Sequence, residues 1–253
     1  MADNDHGAPV VQTRRLPQRR RTEKISEIIA RDIIRDMRGR TPMTMLPPEA
    51  AMLEKYQVGR ASLREALRIL EVQGLIIIRV GPGGGPMVAP VDSRDFARMS
   101  TLYLHMLDAT YGEVLEGRLI MEPVMARLAA ERQDGKAMSQ LEGFLVLPEP
   151  EDEAEYLLQS GQFHKILSGL SGNRVLDLVG QALDDIFVDR IEGMIFPPEA
   201  RAGILRDHRA IARAIINGNA TRAEKLMQVH TKEFLTSSIK RHPGLIDEIV
   251  HWR

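Results

Sequence analysis

The residues of this sequence best suited to chemistry are three histidines and the arginines of one short helix. His164 falls in the run Leu157, Gly161, His164, Ser168, His208 in Ile204, His208, Ile211, Ile215, and His230 in Met227, His230, Phe234. At helical spacing each imidazole interrupts an apolar, inward-facing row, and each lies on a different helix. A single histidine on such a face is commonly a hydrogen-bonded core residue. Three on separate helices of one bundle can converge, and neutral imidazoles suit a borderline divalent metal, Zn²⁺ or Ni²⁺ before others. The second group is Arg60, Ser62, Arg64 and Arg68, gathered at the start and along one side of a helix expected over Ser62 to Gln73. Arginine offers guanine a bidentate fork, and serine with a helix N-terminus holds phosphate. A solvated basic face is the plainer reading of such arginines, so the neighbouring elements must decide.

Those elements run from Leu46 to Ala89. A short helix, Glu49 to Tyr56, breaks at Gln57-Val58-Gly59. The arginine-bearing helix follows, with Leu63, Ala66, Leu67 and Leu70 on its apolar side, and Gly74 stops it. Leu75 to Val80 is strand-like, Gly81 to Gly85 is a turn, and Pro86 to Ala89 can return as a second strand. Helix, turn, helix and a glycine-tipped hairpin make a winged helix-turn-helix, whose second helix meets base edges in the major groove. A further helix, N-capped by Thr22 and reaching about Arg38, would pack behind it with Ile25, Ile28, Ile29, Ile33 and Met37 on one face. Residues 1–21 have almost no apolar pattern and are expected to be disordered. Arg14, Arg15, Arg19, Arg20 and Arg21 make them a basic arm, either solvated or touching phosphate.

Pro90 to Ser93 reads as a joint between domains, and everything after it reads as helix. Segments near 93–109, 111–133, 135–146, 152–171, 173–194, 198–217 and 220–241 are separated by Gly or Pro at most breaks, among them Gly112, Gly135 and Gly172. About seven helices without strands predict an antiparallel bundle. The fold class is therefore mainly α: an N-terminal winged helix-turn-helix over 22–90 with a small β-hairpin wing, and a C-terminal all-α bundle over 91–241. Residues 242–253 form a tail, either one last short helix or a frayed end. With no Cys there is neither a disulfide framework nor a cysteine metal site. No signal peptide is recognisable and no apolar run approaches the ~18 residues needed to cross a bilayer, which predicts a soluble, cytoplasmic protein without membrane contact. Residues 1–90 carry 15 Lys+Arg against 10 Asp+Glu and the remainder 19 against 25, a basic head on an acidic body.

The head resembles the DNA-binding domain of GntR-type bacterial transcription regulators. The match lies at Leu46, Pro47, Glu49, Val58, Arg60, Ser62, Arg64, Glu65, Ala66, Leu67, Gly74, Leu75 and Gly81. The resemblance implies DNA contacts at Arg60, Ala61, Ser62 and Arg64, joined by Arg68, with Gly81 at the wing tip in the minor groove. Ala50 stands where the family usually carries an arginine, and Ala61 where threonine is common. The body is similar to the FCD-type ligand-binding domain of the FadR branch, through Glu116, Arg118 and Glu122-Pro123, Phe163-His164, Ser171-Gly172-Asn173, Asp207-His208 with Ile211, and Met227 with His230. In metal-containing relatives an Asp and three His ligate one cation beneath an organic-acid effector, which implies metal ligation by His164, His208 and His230. Arg118 matches the arginine facing the effector carboxylate. Four residues before His164, where the Asp is expected, stands Ser160, which shares the face of His164 and is left as an effector contact.

These readings converge on a homodimeric regulator, a repressor in the simplest form, binding double-stranded operator DNA under control of a small anionic metabolite. Two others stay open: a metal-free sensor of fatty acyl-CoA with structural histidines, and a metal-dependent enzyme. The enzyme reading lacks a well-placed general base, since Ser160 is neutral and Asp207, next to His208, points to another face.

Overall fold

The computed structural model describes residues 23–191 and 198–252, which divide between residues 89 and 90 into two units. The basic arm at 1–21 and the expected cap Thr22 lie outside the described residues. In the first unit, α1 (Ile25–Met37), α2 (Glu49–Tyr56) and α3 (Arg60–Val72) precede a hairpin of β1 (Ile76–Arg79) and β2 (Gly85–Val88). The strands pair antiparallel in the register Ile76↔Val88 to Arg79↔Gly85. Its core is Ile29, Ala30, Ile33, Leu46, Met52, Leu63, Ala66, Leu67, Leu70, Ile76 and Val88. One expected face is corrected: α1 buries Ser26, Ile29, Ala30 and Ile33, whereas Ile25 and Ile28 are exposed. The i, i+3, i+4 count was satisfied by two overlapping rows, and packing against α3 selected one of them.

The second unit is all helix: α4 (Ser93–Met106), α5 (Tyr111–Arg132), α6 (Gly135–Leu145), α7 (Glu153–Leu170), α8 (Arg174–Ile191), α9 (Pro198–Ile216) and α10 (Ala220–Arg241). Helix starts carry their own side-chain caps: Asp92 for α4, Asp152 for α7 and Asn219 for α10. At α5 the Thr110 hydroxyl accepts from Glu113 N while Glu113 accepts from Thr110 N, a full capping box. The main core joins Met125, Ala126 and Ala129 of α5 to Phe163 and Leu167 of α7, Ile211 and Ile215 of α9, and Met227 of α10.

The tail is neither a helix nor a frayed end. Residues 242–252 turn back over the start of α5, where Val250 N donates to Ala109 O at 2.8 Å and Tyr111 N donates to Glu248 O at 3.0 Å. Thr110 and Ile249 form an isolated bridge, Leu245 and Val250 are buried, and Arg190 grips Glu248. Gly112, expected to be a helix break, is instead the second residue of α5. A Cβ there would lie 2.8 Å from Ile246 O, so this glycine admits the tail.

Candidate functional site

Two surfaces gather the residues singled out above, one in each unit. In the head, Gly59 is the extended N-cap of α3, so Arg60, Ala61 and Ser62 form its first turn, two residues earlier than expected. Leu63, Ala66, Leu67 and Leu70 are buried beneath it, which fixes the rotation of the helix. Arg60, Ala61, Arg64 and Arg68 are therefore exposed and Ser62 is half-buried. Arg64 lies 3.4 Å from Glu49 at the start of α2. Two residues past β1, Gly81 takes φ +106°, and Gly84 N donates back to Gly81 O to close the wing turn. Between α3 and the wing runs a groove of about 650 Å³, with Arg64, Arg68 and Glu71 on one wall and Ile78 and the wing glycines on the other. Of the expected DNA-contact residues, Arg64 and Arg68 line this groove, while Arg60, Ala61, Ser62 and Gly81 are not among its walls.

In the body, His164 of α7, His208 of α9 and His230 of α10 meet. Each can offer one nitrogen such that all three lie within 4.8 Å of one another, and His208 Nε2 and His230 Nε2 are 3.1 Å apart. All three rings are buried, with His208 fully so and stacked on Phe163 at 4.2 Å. Burial holds the His208 imidazole well below its ordinary pKa, reinforced by His230, His164 and Arg118. Burial likewise lowers His230, against the opposing pull of Asp207. Neutral rings are the state that can ligate a metal.

Beside them lies a network that the sequence did not announce. Arg118 of α5 donates to Glu122 one turn on at 2.7 Å and approaches Asp184 of α8 at 3.1 Å, all three being buried. The other Glu122 oxygen, Oε2, is 3.2 Å from His164 Nδ1 but out of line for a hydrogen bond. Burial pushes the Glu122 carboxyl up, but Arg118 and His164 outweigh it and hold the group well below its ordinary range. Asp184 is pushed the other way, because burial there exceeds the attraction of Arg118 and His164. Tyr156, Ser160, Gly161, Phe187, Ile204 and Phe234 complete the wall of a cavity of about 50 Å³. Burial raises the Tyr156 phenol to about 12, against its hydrogen bond to Ser160.

Ser160 and Arg118 thus line the cavity as expected, but Arg118 already serves two carboxylates. Asp207 stays out of the cavity, as expected, but its Oδ2 comes within 3.7 Å of His230 Nδ1 from outside it. Glu122 and Asp184 were missed as site residues. Glu122 lies one turn after Arg118 beside Pro123, a signal in the sequence, whereas nothing local marks Asp184.

Comparison with known proteins agrees with both halves. Residues 21–84 match the family of bacterial regulatory proteins designated gntR, and residues 113–233 match the FCD domain. The chain is 30% identical over 216 residues to the transcriptional regulator Mce2R of Mycobacterium tuberculosis, covering 81% of this chain and 86% of that one. It is 27% identical over 229 residues to the transcriptional repressor NanR of Edwardsiella tarda, covering 85% of each. Among solved structures, a GntR protein of Streptococcus agalactiae has the same fold, with a TM-score of 0.61 at 23% identity over 83% of this chain and 99% of that one.

Proposed function

The chain belongs to the gntR family of bacterial regulatory proteins and carries an FCD domain, and from that premise we propose a homodimeric repressor released from its operator by a small organic acid beside a histidine-bound metal. That it is a DNA-binding transcriptional regulator, and not an enzyme, follows from the family itself. Repression is favoured by its likeness to NanR, a repressor. Among the described residues no helix is long and apolar enough to cross a membrane.

The observation that carries the metal reading is the convergence of three buried imidazoles in one cavity. Nitrogens around a four-coordinate zinc at ~2.0–2.1 Å stand roughly 3.4 Å apart, close to the spacing of His208 and His230. With His208 and His230 meeting through Nε2, the Nδ1 atoms of His164 and His208 and Oε2 of Glu122, buried without a hydrogen-bond partner, stand around the donors rather than among them. The donor set therefore fits Zn²⁺ or Ni²⁺, held by His164, His208 and His230. Without an aspartate at Ser160 the site favours these over Mg²⁺ or Mn²⁺. A bound ion would supply positive charge and an open position to a carboxylate oxygen.

The protein's own residues do the rest. Arg118 neutralises Glu122 and, partly, Asp184, so the cavity without an ion has no surplus positive charge for an anion. Ser160 and Tyr156 offer hydroxyls at the wall, and Phe187 and Phe234 exclude water from one side. The volume suits an ion with a few water-sized groups, each needing ~10–15 Å³, and falls far short of a fatty acyl chain. An effector bound there contacts α5, α7, α8, α9 and α10 together. It changes DNA affinity to the extent that it prefers one arrangement of those helices over another.

Elemental analysis of chain purified without affinity-tag metal, wild type beside His164→Ala, tests the reading. One Zn²⁺ or Ni²⁺ per wild-type chain and none in the variant is expected. Metal in neither protein would make the histidines structural and sink the metal-carboxylate reading.

A further inference from the structure

We propose that Glu122 and Asp207 are positioning residues for the metal. Each stands behind one imidazole, turns its far nitrogen toward the ion and supplies the negative charge that the ligands themselves lack. The inference rests on the metal reading above and deepens it. Three histidine ligands leave a divalent ion with no anion among the mutually close donors, and Glu122 is not among those donors. It lies behind His164 instead, with Oε2 facing Nδ1 at 3.2 Å.

Glu122 is held firmly in that place. Its Oε1 accepts from Arg118 Nε at 2.7 Å, and both side chains are buried, so Oε2 has His164 as its near polar neighbour. The mismatch in line leaves room for a small ring rotation that would complete the hydrogen bond once Nε2 is ligated. Asp207 repeats the relation on the other side of the cluster. Its Oδ2 is 3.7 Å from His230 Nδ1, the edge opposite the Nε2 that meets His208. A carboxylate accepting from the non-ligating N–H fixes the tautomer and makes the ligating nitrogen more basic. The two differ in strength: Glu122 is buried, while the Asp207 side chain is 49% exposed and shares its charge with water. Each carboxylate also comes from a different helix than its histidine, α5 behind α7 and α9 behind α10, so metal binding draws on four helices rather than three.

The test uses the full chain, stripped with chelator, titrated with Zn²⁺ against a chromophoric competitor and with Co²⁺ for its visible absorption. Glu122→Gln and Asp207→Asn keep size and remove charge. Each is expected to weaken Zn²⁺ by 10–100-fold, Glu122→Gln the more, and to alter the Co²⁺ spectrum. Adding Ser160→Asp to Glu122→Gln places a carboxylate directly in the cavity and is expected to recover most of the lost affinity. A purely structural role would lower the melting point of the metal-free protein and leave affinity and spectrum unmoved. Equal Zn²⁺ affinity in wild type and both single variants overturns the proposal while leaving the three-histidine site standing. A wild type that takes up no Zn²⁺ overturns that site and this inference together. Should Glu122→Gln fail to fold, Asp207→Asn decides alone, since its half-exposed position is not part of the core.

Discussion

Arg118 shows what a single residue of this site does and how little of it is legible in a sequence. Its place in a Glu-x-Arg helix marks it as functional, and the periodicity of the apolar rows marks the three histidines. Asp184 carries no such mark, because its role depends on how α8 is rotated against α5. Asp207 obeys a sound local rule: neighbours on a helix point about 100° apart, so a residue next to His208 should leave the cavity. It does leave His208, and α10 then brings His230 against it. The energetics at Arg118 follow from burial. One guanidinium offsets two carboxylates that cannot reach water, so deleting it strands both. Arg118→Ala is expected to destabilise the metal-free helical unit by about 3–5 kcal/mol, the cost of breaking a buried ion pair from one side. Urea denaturation followed by circular dichroism measures it, and a loss below about 1 kcal/mol, the range of exposed pairs, would contradict the buried network.

At the scale of elements, most boundaries were readable because caps and breakers are local. The stop at Gly74 and the glycine wing are where turn chemistry puts them. What could not be read is any feature that two distant segments share. Gly112 is an example: in isolation it reads as a helix break, yet α5 runs straight through it. The missing Cβ serves residues 245–250, which cross the first turn of α5 and bury Leu245 and Val250. Their hydrogen bonds to Ala109, Tyr111 and Gly112 need that close approach. Gly112→Ala gains helix propensity of up to about 1 kcal/mol in α5, but puts a methyl 2.8 Å from Ile246 O. The contact should win, because the obstacle is backbone and cannot swing aside. Hydrogen exchange is then expected to quicken at Tyr111, Gly112 and Val250, with α7 and α9 unchanged. Unaltered protection at those three amides would show that the tail adapts.

For the whole molecule, the decisive fact is that each of the two units has a core of its own. One is built from Ile29, Met52, Leu63, Leu70 and Ile76, the other from Met125, Phe163, Leu167, Ile211 and Met227, and the chain divides between them at residues 89 and 90. Charge divides at nearly the same point, with the basic excess on the side that carries α3. Chemistry divides too: every donor of the metal cluster belongs to the second unit. A ligand stabilises only the cooperative unit that holds its site, by RT ln(1 + [L]/Kd), which is about 2.7 kcal/mol at a free concentration 100 times Kd. For a unit of this size that corresponds to roughly 5–10 °C in melting temperature. Calorimetry of the full chain should therefore resolve two transitions, with Zn²⁺ raising one by that amount and leaving the other in place. His208→Ala should abolish the shift without moving the second transition, since His208 belongs to the helical unit and is no member of the head core. A shift of both transitions together, or of a transition that survives in His208→Ala, would put the ion somewhere other than the three histidines.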